Sequence, residues 1–235
     1  MRTLFIPLLL LCLSASAQNK VDITNSDVTV NTSFFQVVAG TPVTPTTFYK
    51  VVEGTAFFND YWMRGSVSID RVKEYKNLIL KINLMEGMLH FRDIKGEEMI
   101  CNNAIAIVKL VDSVTGGTYT FVHTSTIPAF AKMKPPTWME MLADGEAQLY
   151  YHRRKSIQES RPYGSATVEH RIITGDFYYV VIGDQSIRVK KLQEVIDALP
   201  SKKQEVQQWV SSNNIPKNAQ GFAKVIEYYN TLAKN

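Results

Sequence analysis

The densest group of side chains able to do chemistry is the run Tyr150-Tyr151-His152-Arg153-Arg154-Lys155, with Arg161 and Tyr163 shortly after it. Guanidinium groups present forked N–H donors, and phenol rings add flat faces. Tyr151, His152, Arg153, Arg154, Lys155, Arg161 and Tyr163 are therefore a candidate patch for phosphate, carboxylate or sugar groups. If the run is a strand, Tyr151 and Arg153 share one face and Tyr150, His152 and Arg154 take the other. The competing reading is structural: a strand end running into solvent, with arginine stems lying over apolar surface.

Other chemistry is sparse. There is no Gly-x-Ser-x-Gly elbow, phosphate-binding Gly-Lys-Ser/Thr loop, dinucleotide glycine fingerprint or His-Glu-x-x-His. His90, His123, His152 and His170 have no second metal ligand at i+2 or i+4. Asp93 near His90 and Glu169 beside His170 are single neighbours, and a metal site needs three or four convergent ligands. No spacing rule links Ser165 to His170 as nucleophile and base, and Glu97-Glu98 and Asp144/Glu146 read as turn decoration. No catalytic residue, cofactor or metal is expected.

The N-terminus carries an address. Arg2 supplies a positive charge, Leu4 to Leu13 form an apolar run, and Ala15-Ser16-Ala17 is a small-x-small cleavage site before Gln18. These are the marks of a secretory signal peptide, and the run is half of what a membrane span needs. The expectation is an exported chain, periplasmic or extracellular, soluble after cleavage following Ala17. Lipidation at Cys12 is disfavoured by Leu11 before it, and cleavage leaves Cys101 as the only thiol, so no intramolecular disulfide is available. Cys101 has no adjacent basic residue and reads as a small buried hydrophobe on a strand. A net charge of +4 is far from a nucleic-acid-binding balance, so no nucleic-acid partner is expected.

The elements that must position the patch follow from periodicity. Residues 18–47 read as an extended segment, with pieces at 28–30 and 34–38. Residues 48–190 read as a mainly antiparallel β-domain, a curled sheet or sandwich. Short alternating strands are expected at 48–53, 64–69, 77–84, 87–92, 97–101, 104–111, 118–123, 125–131, 146–155, 165–173, 177–182 and 186–190. Gly116-Gly117 marks a hairpin, Gly87 and Gly96 mark turns, and a polar loop covers 156–164. Pro135-Pro136 halts the sheet, and Thr137 with Glu140 has capping-box spacing, predicting a short helix near 138–143.

Residues 191–235 then read as three short amphipathic helices packed on the sheet. Leu192, Val195, Ile196 and Leu199 share one helical face. Ser201 and Gln204 form a second capping box, and Asn218 caps a third helix bearing Phe222, Val225, Ile226, Tyr229 and Leu232. The fold class is α+β.

The C-terminal run Phe177-Tyr178-Tyr179-Val180-Val181, Ile187-Arg188-Val189-Lys190-Lys191 and the helices closing with Tyr228-Tyr229-Asn230 resembles the end of uncharacterised exported proteins common in Bacteroidetes bacteria. The stretch from Gly65-Ser66-Val67 through Leu84 to Leu142-Ala143-Asp144-Gly145 is similar to the β portion of the same group. The resemblance implies a Gram-negative envelope setting and no active site.

The function expected is non-enzymatic: binding or scaffolding of an envelope component, possibly a protein, without a membrane span. A small secreted hydrolase with dispersed residues and a strand-donating assembly subunit are the alternatives.

Overall fold

The computed structural model describes residues 34–35, 38–43, 51–69, 73–161, 163–164 and 166–233. The expected signal peptide, residues 1–17, and most of the 18–47 segment lie outside these residues. Among the described residues the fold is α+β: one mostly antiparallel sheet of 12 strands, not closed on itself, with helices at the C-terminus.

The strands are β1 (Gly40–Pro42), β2 (Val51–Glu53), β3 (Met63–Ser68), β4 (Glu74–Asn83), β5 (Met88–Arg92), β6 (Glu98–Cys101), β7 (Ile107–Val111), β8 (Thr118–His123), β9 (Trp138–Ala143), β10 (Ala147–Ser160), β11 (Glu169–Ile182) and β12 (Gln185–Val189). Their spatial order is β1-β6-β5-β4-β3-β7-β8-β9-β10-β11-β12, while β2 pairs in parallel with β11 at His170 and Arg171. From β7 onward the path is a meander of sequential antiparallel neighbours, joined by short turns except for the 124–137 segment between β8 and β9.

Alternation along these strands sends side chains to two faces. Beneath the N-terminal strands, Phe34, Val67, Leu80, Ile82, Val108, Leu110 and Phe121 form one core. Leu149, Val180 and Val189 meet the helices α1 (Leu192–Ala198), α2 (Lys203–Ser212) and α3 (Ala219–Ala233) in a second core. On the opposite face Val122, Met139, Tyr150 and Val181 are covered by Ile127 and Phe130.

Several expectations are corrected. Residues 138–143 are strand β9, not a helix: Met139 pairs with Val122, and Met141 with Tyr150. The capping-box atoms are otherwise engaged, since the Thr137 N–H donates to Thr124 Oγ1 at 2.9 Å and Glu140 turns to Arg153. Residues 125–131 form two 3-10 turns, Thr124–Thr126 and Pro128–Phe130, because Pro128 has no N–H for a ladder. Phe34 and Phe35 lie in a helical turn, the Val38 N–H donating to the Phe34 carbonyl at 2.8 Å.

The polar stretch from 156 continues as strand to Ser160, which faces Glu169, and residues 169–182 form one strand through Gly175. Helix α2 is preceded by Lys202, not Ser201, at its N-cap, with φ 59° and no side-chain cap hydrogen bond, whereas Asn218 Oδ1 accepts the Gly221 N–H at 3.0 Å as expected. The 112–117 hairpin and the turns at Gly87 and Gly96 form where expected. Cys101 ends β6 against the first core, and burial pushes its thiol pKa up.

The last helix is locked onto the sheet by Asn230. Its Oδ1 accepts the Ala147 N–H at 2.9 Å, and its Nδ2 donates to the carbonyls of Ala147 at 2.8 Å and Asp144 at 3.1 Å. Gly145, at φ +148°, leaves room for that amide, which a Cβ there would meet at 2.4 Å.

Asp112 organises the β7–β8 turn. Its carboxylate accepts from the Tyr61 hydroxyl at 2.7 Å, the Val114 N–H at 2.8 Å and the Thr115 hydroxyl at 2.8 Å. The Tyr61 hydrogen bond leads in lowering its pKa from 3.8 to about 2. The unfolded chain therefore binds the proton first, so this stabilisation is present above about pH 4 and lost as pH falls toward about 2. Thermal melts should show Asp112→Asn less stable than the parent at neutral pH, with the gap closing in acid. A gap independent of pH would refute the assignment.

Candidate functional site

The β10–β11 hairpin divides the predicted patch between its two faces. On one face Tyr151 donates to Asp176 Oδ1 at 2.6 Å and stacks on Tyr178 with ring centroids 4.6 Å apart. Arg153 Nε and Nη2 donate to Glu140 Oε2 at 3.0 and 2.5 Å, and its guanidinium lies over the rings of Tyr151 (4.2 Å) and Phe58 (5.2 Å). Burial, then the Asp176 hydrogen bond, raises the Tyr151 pKa far above its usual value. The polar groups here consume one another, so this half of the patch is a lock between the first two cores.

On the other face the side chains border a cleft of about 400 Å³. His152 stands opposite Phe177, Tyr150 opposite Tyr179, and Tyr179 opposite Arg188, which brings His152, Phe177, Tyr179 and Arg188 to one side of the sheet. Arg154 joins them by alternation. Met133, Lys134, Pro135 and Thr137 also line it, together with Leu84 and Met85 from the β4–β5 turn.

The electrostatics of this cleft are one-sided. Among the described residues no carboxylate lines it, and Lys134, Arg154 and Arg188 have no acidic side chain within ion-pair distance. Arg188 is held over the Phe177 ring at 4.3 Å, which fixes the guanidinium plane and leaves its N–H edge available. Burial, then the charge of Arg154, lowers the His152 pKa to about 4, so at neutral pH the imidazole is an uncharged hydrogen-bonding group.

Lys155 borders the cleft, but by alternation its side chain belongs with Arg153 and Asp176, whose charges it feels. Burial lowers its pKa. Arg161 is exposed just beyond β10 and Tyr163 is fully exposed; neither lines the cleft. Of the predicted patch, the structure therefore brings together His152, Arg154 and the edge of Lys155, and separates Tyr151, Arg153, Arg161 and Tyr163. Sequence reasoning missed Lys134, Phe177, Tyr179 and Arg188. The basic-aromatic alternation Phe177-Tyr178-Tyr179 and Arg188 was the available signal, once the two strands are paired.

The remaining candidates are accounted for elsewhere. His90 Nδ1 meets Glu98 at 2.7 Å, His123 Nδ1 meets the Ser125 hydroxyl at 2.6 Å, and His170 meets Glu159 at 3.3 Å. Ser165 lies outside the described residues. Among the described residues no group of three His, Cys, Asp or Glu side chains could hold a metal ion, and no helix is long and apolar enough to cross a membrane.

The fold and the cleft define an open antiparallel sheet with a helical C-terminal element and a cationic, aromatic-lined recess. No family model, curated protein or solved structure matches the chain.

Proposed function

We propose that this chain is an exported binding protein whose cleft holds a small organic anion. The observation that carries the reading is the set of Lys134, Arg154 and Arg188, without acidic partners among the described residues, around Phe177 and Tyr179 in about 400 Å³. Guanidinium forks suit a carboxylate or phosphate, and the aromatic and methionine surface suits the organic body attached to it. Export is supported by the Met1–Ala17 presequence, and a Gram-negative envelope setting by the likeness of the C-terminal run to exported Bacteroidetes proteins.

The test uses protein recovered from an exporting host, whose intact mass should begin at Gln18. A panel of organic carboxylates, organic phosphates and matched neutral compounds is screened by thermal shift and titration calorimetry. Anions should bind and their neutral analogues should not. Each charge-assisted hydrogen bond is worth about 1.5–3 kcal/mol, so Arg154→Gln or Arg188→Gln should weaken binding by roughly ten-fold or more. Binding that survives both substitutions, or a panel with no anion bound, would dismiss the cleft as the site.

A further inference from the structure

A second cationic surface lies on the N-terminal half of the sheet and shares no residue with the cleft. Arg64 on β3 faces Ile79 on β4 and Val111 on β7. Leu80 pairs with Phe91, and continuing that register brings Arg92 beside Ile79. The row Val111, Arg64, Ile79, Arg92 thus runs across four adjacent strands. Its two arginines are two strand spacings apart, roughly 10 Å. Their neighbours Met63 and Phe91 are buried on the other face, so Arg64 and Arg92 point outward over a shallow depression of about 440 Å³.

The arginines are positioned and electrostatically unanswered. The Arg92 guanidinium lies over the Trp62 ring at 4.9 Å. Glu98, opposite Arg92 in the ladder, turns its Oε1 to His90 Nδ1 at 2.7 Å. Among the described residues neither Arg64 nor Arg92 has a carboxylate within ion-pair distance. The floor between them is the aliphatic surface of Ile79, with Val111 beside Arg64.

We infer that this face binds an acidic polysaccharide. A shallow, open row offers little to a free small ion, but it matches a chain in which acidic groups recur at about the length of two sugar units. The C–H faces of the intervening ring would lie on Ile79, and an acid group would meet each guanidinium. A nucleic acid would call for many more phosphate contacts than two arginines supply in a chain of net charge +4. A membrane surface would call for apolar residues projecting together. The most exposed aliphatics nearby, Ile94 (66 %) and Val114 (74 %), follow β5 and β7, which run in opposite directions, so they project from opposite ends of the row.

Affinity electrophoresis of the mature chain through gels containing hyaluronate or unsulfated chondroitin, whose carboxylates recur at every second sugar, or neutral dextran tests the inference. Retardation by the two acidic polymers and none by dextran is expected. Arg64→Gln/Arg92→Gln should lose at least ten-fold in apparent affinity. Arg154→Gln/Arg188→Gln, which removes the same charge from the cleft, should change it less than two-fold, so this result is separable from the fate of the cleft. Both substituted pairs are surface residues, and melts matching the parent establish folding. Equal losses in both variants, equal retardation by dextran, or tighter binding to duplex DNA or to phosphatidylglycerol vesicles would overturn the inference.

Discussion

Phe222→Ala is expected to lower the stability of the whole chain by about 3–5 kcal/mol, the usual cost of emptying a buried aromatic site. Phe222 is buried in the second core and meets the Tyr178 ring edge-on at 5.3 Å. Through Tyr178 it touches β11 directly, so the defect should appear in the single global transition and not as melting of a detached tail. Isolated helices as short as α1 to α3 are marginal in water, and their order must come from docking. Trp209, another large aromatic of the helical element, is only partly buried and stacks on Tyr228 at 4.3 Å. Trp209→Ala should therefore cost less than Phe222→Ala. Calorimetric melts of the two variants, with limited proteolysis after residue 190, check both points. A Phe222→Ala variant that melts like the parent would mean the helices do not support the sheet.

The helical half was legible because its signal is local. Leu192, Val195, Ile196 and Leu199 repeat at helical spacing, and all four are buried against the sheet. The sheet was legible as a class for the same reason, since Val108 and Leu110 alternate with exposed neighbours. What failed was decided by partners distant in sequence. Thr137 and Glu140 have the spacing of a helix start, yet β8 and β10 offer Trp138–Ala143 a ladder on both sides, and tertiary pairing overrides the local preference.

The candidate site shows the same division. That His152 and Arg154 share a face followed from alternation alone. That Arg188 and Lys134 join them depends on the β11–β12 register and on how the 133–137 segment lies against β10, which no local pattern encodes. The role of Arg153 was hidden for the opposite reason. A run of basic residues looks uniform in sequence, although the pleat gives its members different surroundings.

Those surroundings make a second large effect expected at Glu140. Its side chain is 9 % exposed and carries the Arg153 ion pair at the junction between the first two cores. Glu140→Ala would leave a guanidinium packed over Tyr151 and Phe58 without its counter-charge. Removing one partner of a buried pair typically costs about 3–5 kcal/mol, because the survivor stays desolvated. Arg153 retains 28 % of its side-chain exposure and can turn partly toward water, which places the expected loss near the lower end, about 3 kcal/mol. Replacing both residues, Glu140→Met with Arg153→Met, should recover much of that loss, since neither charge is then stranded. Denaturant unfolding of the two single variants and the double variant measures the coupling. A single-variant loss below about 1 kcal/mol would return Arg153 to the class of surface cations and reopen its assignment to a ligand site. Because the pair faces away from His152 and Arg154, folded Glu140→Met/Arg153→Met protein should bind anions in the cleft with unchanged affinity.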